Sequence, residues 1–183
     1  MKTKTDTHEW KEFKVGELFE LHRGTSRVMR ELEDGDTPLI AAARYNAGIA
    51  GCFNISPEYQ NTITISLNGA GCGSTIYHDG PFAITGDAMA LVARHDVSRN
   101  AKLFIAAIYD AYFTSNYSYA DKCSPSKAQN ELIKLPATPS GEPDWDYMDS
   151  YMSSVLAEEQ AYADRLLSHD FAKHEIGTGG GMA

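Results

Sequence analysis

No stretch of this 183-residue chain approaches the roughly 20 consecutive apolar residues needed to span a bilayer, and its opening, Met1 to Trp10, is polar and lacks the apolar stretch of a signal peptide. A cytoplasmic location, with no membrane partner, is therefore expected. Cysteine is scarce: Cys52, Cys72 and Cys123 are an odd number at wide spacings, which fits neither a disulfide framework nor a CxxC-type zinc site and reads as reduced, mostly buried thiols. The histidines, His8, His22, His78, His95, His169 and His174, show no HExxH or paired spacing. There is no GxSxG elbow, and the glycine cluster Gly69-Ala-Gly71-Cys-Gly73 lacks the Lys-Ser/Thr of a phosphate loop, so it suits a turn that needs positive φ. Glu12-Phe13-Lys14 offers the ExK of a two-metal nuclease without a partner aspartate on a preceding strand, and the Asn-Pro-Pro-aromatic segment of adenine methyltransferases is missing. No catalytic residue, no metal and no cofactor is expected; the chain reads as non-catalytic.

Positive charge is also short, with 16 Lys and Arg against 25 Asp and Glu and a net charge of −9. Such a balance argues at first against nucleic acid, because phosphate binding depends on cations neutralising a dense line of negative charge. The deficit is unevenly spread, however. From Glu142 to Glu175 there are nine acids and two bases, a net of −7, which leaves only −2 for the first 141 residues. Within those, Arg23, Arg27, Arg30 and Arg44 lie close together, and Lys122, Lys127 and Lys134 form a second basic stretch. A local basic face is compatible with this distribution, although scattered surface cations would produce the same count.

Trp10 to Leu21 reads as an amphipathic entry element with a break at Gly16, followed by a loop from Gly24 to Asp36. Short strands are expected at Pro38–Ala42, Gly48–Phe53 and Thr62–Leu67, the last alternating Ile63, Ile65 and Leu67 with polar neighbours. A strand restarts at Thr75–Tyr77, and another covers Ala88–Ala93. Ser98 stands as an N-cap before an apolar-periodic helix through Leu103, Phe104, Ala107, Ile108 and Ala111, and Leu132–Leu135 forms a last strand ended by Pro136. Ala137–Pro143 has linker composition. A helix is expected from Asp144 to about Asp170, with Pro143 and three aspartates suited to its positive end. Its positions Met148, Met152, Val155, Glu159, Tyr162 and Leu166 step by four and three, as a coiled-coil seam does, and a helix folding back on its own domain would use the same stripe.

Several segments, taken in order, resemble a target recognition domain from the specificity (S) subunit of type I restriction-modification systems. They begin with Trp10-Lys-Glu-Phe13-Lys-Val-Gly16-Glu-Leu-Phe19-Glu-Leu-His-Arg-Gly24, then Pro38-Leu-Ile40 and Tyr45-Asn46-Ala47-Gly48-Ile49-Ala50-Gly51. Thr62-Ile-Thr-Ile65 leading to Gly69-Ala-Gly71-Cys-Gly73-Ser-Thr-Ile-Tyr77 follows, and Ile133-Lys-Leu135-Pro136 with Gly141-Glu-Pro143-Asp144-Trp145-Asp-Tyr147-Met148 resembles the family's last strand and the start of its spacer helix. Position 47 is Ala where the family often has a second Asn. The resemblance, over about residues 10 to 168, implies an α+β target-recognition fold: a twisted mixed, barrel-like β-sheet with flanking helices and a long C-terminal spacer helix. It divides the chain into a flexible N-terminus (1–9), a recognition domain (10–141), a spacer and dimerisation helix (142–171) and a disordered tail (172–183).

Family S subunits usually carry two such domains and two helices packed antiparallel, whereas this chain has one of each, the half-length type that can pair with itself. The resemblance implies recognition of a double-stranded DNA half-site on behalf of a DNA methyltransferase subunit, in some assemblies together with a restriction subunit, and a homodimer through the C-terminal helix. Such a module needs loops that place Arg, Asn and Lys against base edges and phosphates. Candidate readers are Arg23, Thr25, Arg27, Arg44 and Asn46 in the first half and Lys122, Ser126, Lys127 and Gln129 in the second, with Lys122 and Lys127 suited to phosphate. A non-catalytic decoy that binds the methyltransferase without reading DNA is the alternative; a self-sufficient enzyme is the least supported.

Overall fold

The computed structural model describes residues 7, 10–69 and 71–176, with side chains as far as 168. The stretch 1–9 lies outside them apart from Thr7, as do 177–183 of the expected tail. Trp10–Leu21, read as one amphipathic element, is a strand, a single helical turn and a second strand: β1 (Lys11–Lys14), α1 (Val15–Leu18) and β2 (Phe19–Arg23). β1 pairs antiparallel with β8 (Leu132–Leu135), so the two ends of the domain are tied in a small sheet of their own.

The main sheet has six strands. β3 (Asp34–Ile40) and β4 (Ile49–Phe53) form a hairpin; β5 (Tyr59–Ser66), β6 (Thr75–Ile84) and β7 (Ala88–Ala93) follow, and the spatial order is β2-β7-β5-β6-β3-β4. All pairings are antiparallel except β3 with β6, so the sheet is mixed. It bends without closing into a barrel: among the described residues a single parallel bridge, Thr25 to Thr85, links the segment after β2 to the end of β6. The bend lies in β6, which extends well past the expected Thr75–Tyr77. Its first half faces β5 from Thr75 opposite Ile65 to His78 opposite Thr62; the chain turns through Gly80 at φ 74°, and Ala83 and Ile84 then run parallel to Leu39 and Ile40.

Alternation along β7 supplies both faces of the sheet. Met89 and Leu91 join Ile63, Ile65 and Phe19 in the main core, while Ala88 and Ala90 join Ile40, Phe82 and Ile84 in a smaller one. The main core is covered by α2 (Arg99–Asn116), whose Ser98 accepts a hydrogen bond from the Ala101 amide at 3.1 Å and whose buried face is Ala101, Phe104, Ile105, Tyr109 and Phe113. His78 is buried against Phe82 with Nε2 2.8 Å from Thr64 Oγ1; loss of hydration lowers its pKa from 6.5 to about 4, so the ring is neutral at neutral pH.

α3 (Pro125–Ala128) is a short turn beside α1, and α4 (Trp145–Ile176) closes the chain. The linker at 137–143 is an ordered turn: Ala137 bridges Pro143, Thr138 N donates to Glu142 O at 2.8 Å, and Asp144 N donates to Pro136 O at 3.0 Å. Asp144 Oδ1 then accepts from the Tyr147 amide at 2.9 Å and caps the helix. α4 continues five residues beyond the expected boundary at 171, so 172–176 are helical rather than tail. The stripe expected to face a partner divides along its length. Met148 is fully buried in the domain's own core and Met152 packs at its edge, whereas Glu159, Tyr162 and Leu166 are exposed.

Candidate nucleic-acid interface

Four connections meet at one end of the sheet: the segment after β2, the β3–β4 loop, the glycine turn between β5 and β6, and the β6–β7 turn. Their backbones are cross-linked. Gly24 N donates to Ala88 O at 3.0 Å, Leu67 N donates to Asp87 O at 2.8 Å, and the Asn68 amide donates to Asp87 Oδ1 at 3.3 Å. Gly71 lies against the β3–β4 loop so closely that a Cβ there would come within 3.0 Å of Arg44 N. Gly73, at φ 86°, abuts the end of α2, where a Cβ would meet Phe113 O at 2.5 Å. The glycine cluster is thus required by conformation at Gly69 and Gly73, as its composition implied, and also by close approach at Gly71 and Gly73.

Five of the expected readers, Arg23, Thr25, Arg27, Arg44 and Asn46, sit on this loop cluster, but in different conditions. Arg44 is exposed and has no ion-pair partner among the described residues. Arg23 is exposed and anchored through Nε, which donates to Gly86 O at 2.7 Å and leaves its two outer nitrogens pointing from a fixed base. With Ser26, Thr85 and Asp87 it lines a recess of about 180 Å³. Arg27 differs. Its guanidinium is ion-paired with Glu58, whose other oxygen accepts the Ile84 amide at 3.1 Å, and its Nε is buried without a partner. A guanidinium committed to a carboxylate must break that pair to grip guanine, so Arg27 is built here as a strut between the loop and the β5–β6 ladder. Asn46 uses its amide nitrogen on Ile49 O at 3.1 Å.

The second group stands to one side, on α3 and the loop before it. Lys127 is ion-paired with Asp121 and lies 5.7 Å from the centre of the Tyr117 ring; Lys122 lies 5.0 Å from the centre of Tyr119. Ser126 Oγ is 3.0 Å from Ser124 Oγ, and Gln129, exposed in its side chain, accepts the Gly16 amide with its backbone oxygen. This group is connected to the first through the end of α2 and through Cys72 and Cys123, both buried thiols, whereas Cys52 is exposed, in keeping with an expectation of mostly buried cysteines. Burial first, then the nearby Cys72, pushes the Cys123 thiol up to about 12. Tyr112 and Tyr117 both donate to Glu131, which fastens the loop to the base of the domain. Sequence reasoning passed over Glu58, Asn68 and Tyr45; only Tyr45 had a local signal, its place between Arg44 and Asn46.

Among the described residues no group of three or more His, Cys, Asp or Glu is placed to hold a metal, and no helix is long and apolar enough to cross a membrane. Comparison with known proteins gives a consistent picture. The specificity subunit S.BcgI of a type II restriction enzyme from Heyndrickxia coagulans is 24% identical over 146 residues, 78% of this chain and 42% of that protein. Among solved structures, the type I restriction-modification S subunit from M. genitalium has the same fold at a TM-score of 0.65 and 16% identity, over 92% of this chain and 44% of that one. The HsdS subunit of Thermoanaerobacter tengcongensis gives 0.58 at 14% identity, over 88% and 41%. The chain therefore spans less than half the length of these relatives. Residues 7–163 match the family described as the type I restriction modification DNA specificity domain, and the chain belongs to that family.

Proposed function

We propose that this chain reads a DNA half-site for a partner DNA methyltransferase, with the loop cluster of Arg23, Thr25, Arg44, Asn46 and Asn68 set against the duplex and Lys122 and Lys127 beside its phosphates. The observation that carries this reading is the convergence of four cross-linked loops on one end of the sheet, where Arg23 and Arg44 are exposed. The chain itself is non-catalytic in this role and acts in the cytoplasm, in some assemblies beside a restriction subunit. A guanine gripped by two hydrogen bonds suits Arg44 or Arg23, while Ser126 and Gln129 supply further polar contacts. The outer part of α4, where Leu156, Tyr162, Leu166 and Leu167 are exposed, pairs with the same helix of a second copy, so that the target is a bipartite palindrome.

Fluorescence anisotropy on short duplexes at two salt concentrations, with the methyltransferase present, tests the reading. Binding should be steeply salt-dependent. Arg44→Ala should relax base choice at one position, at a cost of roughly 1–3 kcal/mol of discrimination, whereas Lys127→Ala should weaken all sequences alike. A complex that forms with the methyltransferase but never binds DNA would establish the decoy reading instead.

A further inference from the structure

Tyr45 carries the most exposed ring on the described surface, 85% accessible, at the tip of the β3–β4 loop. A freely moving loop would make that unremarkable, but this one is fixed. Residues 46, 47 and 48 are all left-handed, at φ 50°, 51° and 74°; glycine and asparagine tolerate this conformation, and the alanine in the middle of the run resists it. Gly48 N donates to Tyr45 O at 2.9 Å, Ala41 N donates to Gly48 O at 2.9 Å, and the Asn46 side chain caps Ile49 O. The backbone before the ring rests on Gly71. The turn is therefore locked on both sides of a side chain that packs on no other ring and under no cation among the described residues. Tyr119, the other strongly exposed tyrosine at 70%, already carries the Lys122 ammonium over its face.

Backbone strain that holds a side chain outward is characteristic of a residue that makes its contact only in a complex. The neighbours say what kind. Arg44 and Asn46 flank the ring and Asn68 and Arg23 share its end of the sheet, a polar and cationic surround that suits nucleic acid rather than an apolar protein surface. The geometry points to Tyr45 as a DNA-contacting side chain whose ring packs against a deoxyribose and the neighbouring base edge in the duplex read by this loop cluster. Packing of this kind tolerates sequence, because every nucleotide presents the same sugar, so Tyr45 adds affinity and fixes the depth of insertion while Arg44 beside it supplies base choice. This inference rests on the DNA-reading proposal above.

The test uses the whole chain with its methyltransferase partner. A duplex pool is selected on wild type, and the selected site is resynthesised with 5-iodouracil at successive positions for photocrosslinking and mass-spectrometric mapping. Wild type should crosslink through Tyr45 at one or two adjacent positions. Tyr45→Phe should keep that crosslink and bind within about twofold of wild type, and Tyr45→Ala should lose it and bind about tenfold more weakly, with an unchanged melting temperature. If wild type binds and Tyr45→Ala binds equally well, or crosslinks map elsewhere, the inference fails while DNA reading stands. Loss of methyltransferase association in Tyr45→Ala with DNA affinity intact would make the ring a protein contact. A wild-type complex that selects no DNA would remove the underlying proposal, and this one with it.

Discussion

The two parts of α4 share one helix and one periodicity yet live in different surroundings. From Trp145 to Val155 the helix lies on α2: Met148 is fully buried, Tyr147 and Tyr151 meet the Phe104 ring edge-on at centroid distances of 6.4 and 5.5 Å, and Asn100 donates to Ser153 Oγ at 2.8 Å. From Leu156 to Ser168 every residue is exposed, including Leu156, Tyr162, Leu166 and Leu167. Heptad spacing thus specifies a stripe and leaves its cover open. The domain covers the stripe as far as α2 reaches, and beyond that the same pattern leaves its apolar side chains exposed.

The sharpest way to break this contrast is Met148→Glu, which forces a carboxylate into the main core; it should cost about 4 kcal/mol in chemical denaturation and detach the helix. Phe104→Ala should follow at about 3 kcal/mol, since it removes the ring that Trp10, Tyr147 and Tyr151 share. Asp149→Ala, which breaks the hydrogen bond from Ser98 across the two helices, should cost about 1 kcal/mol, read as a modest fall in melting temperature. Leu166→Glu should change folding stability by less than about 0.5 kcal/mol while converting a dimer to a monomer in sedimentation. An equal loss of stability from Leu166→Glu and Met148→Glu would show that the outer helix is part of the fold after all.

Within the domain, what could be read in advance was what local chemistry decides. Ala88–Ala93 and Leu132–Leu135 are bounded as their apolar runs and flanking turn residues dictate, and Ser98 caps α2 as a serine ahead of an apolar-periodic segment should. The failures are tertiary. Asp34-Gly-Asp36 has the composition of a loop, yet it is the start of β3, held by a bulged pairing in which Asp34 and Thr37 both face Phe53. β6 continues through His78-Asp-Gly-Pro81 because β3 and β5 offer ladders on both sides of that bend. At the interface, the clustering of Arg23, Arg27 and Arg44 was visible in the sequence, but the fate of Arg27 depends on Glu58, 31 residues away, and no local pattern announces such a pair. Ala47 sits at φ 51°, a left-handed conformation in which asparagine would be more at ease than alanine.

The close approach of Gly73 to the end of α2 has a mechanical consequence. The glycine turn is seated on Phe113 and Thr114, the same helix carries the root of α4, and the 137–143 turn leaves no slack at the root. Loops and helix are therefore parts of one bracket, and a rotation of the arm is a rotation of the loop cluster. The arm beyond Val155 extends about 30 Å at 1.5 Å per residue. A change of about 5° at its root displaces the far end by nearly 3 Å, close to the roughly 3.4 Å rise between successive bases along one strand. Substituting even alanine for Gly73 would shift the root of that arm relative to the loops, so under the proposed pairing of two copies this small turn would set the spacing between their loop clusters.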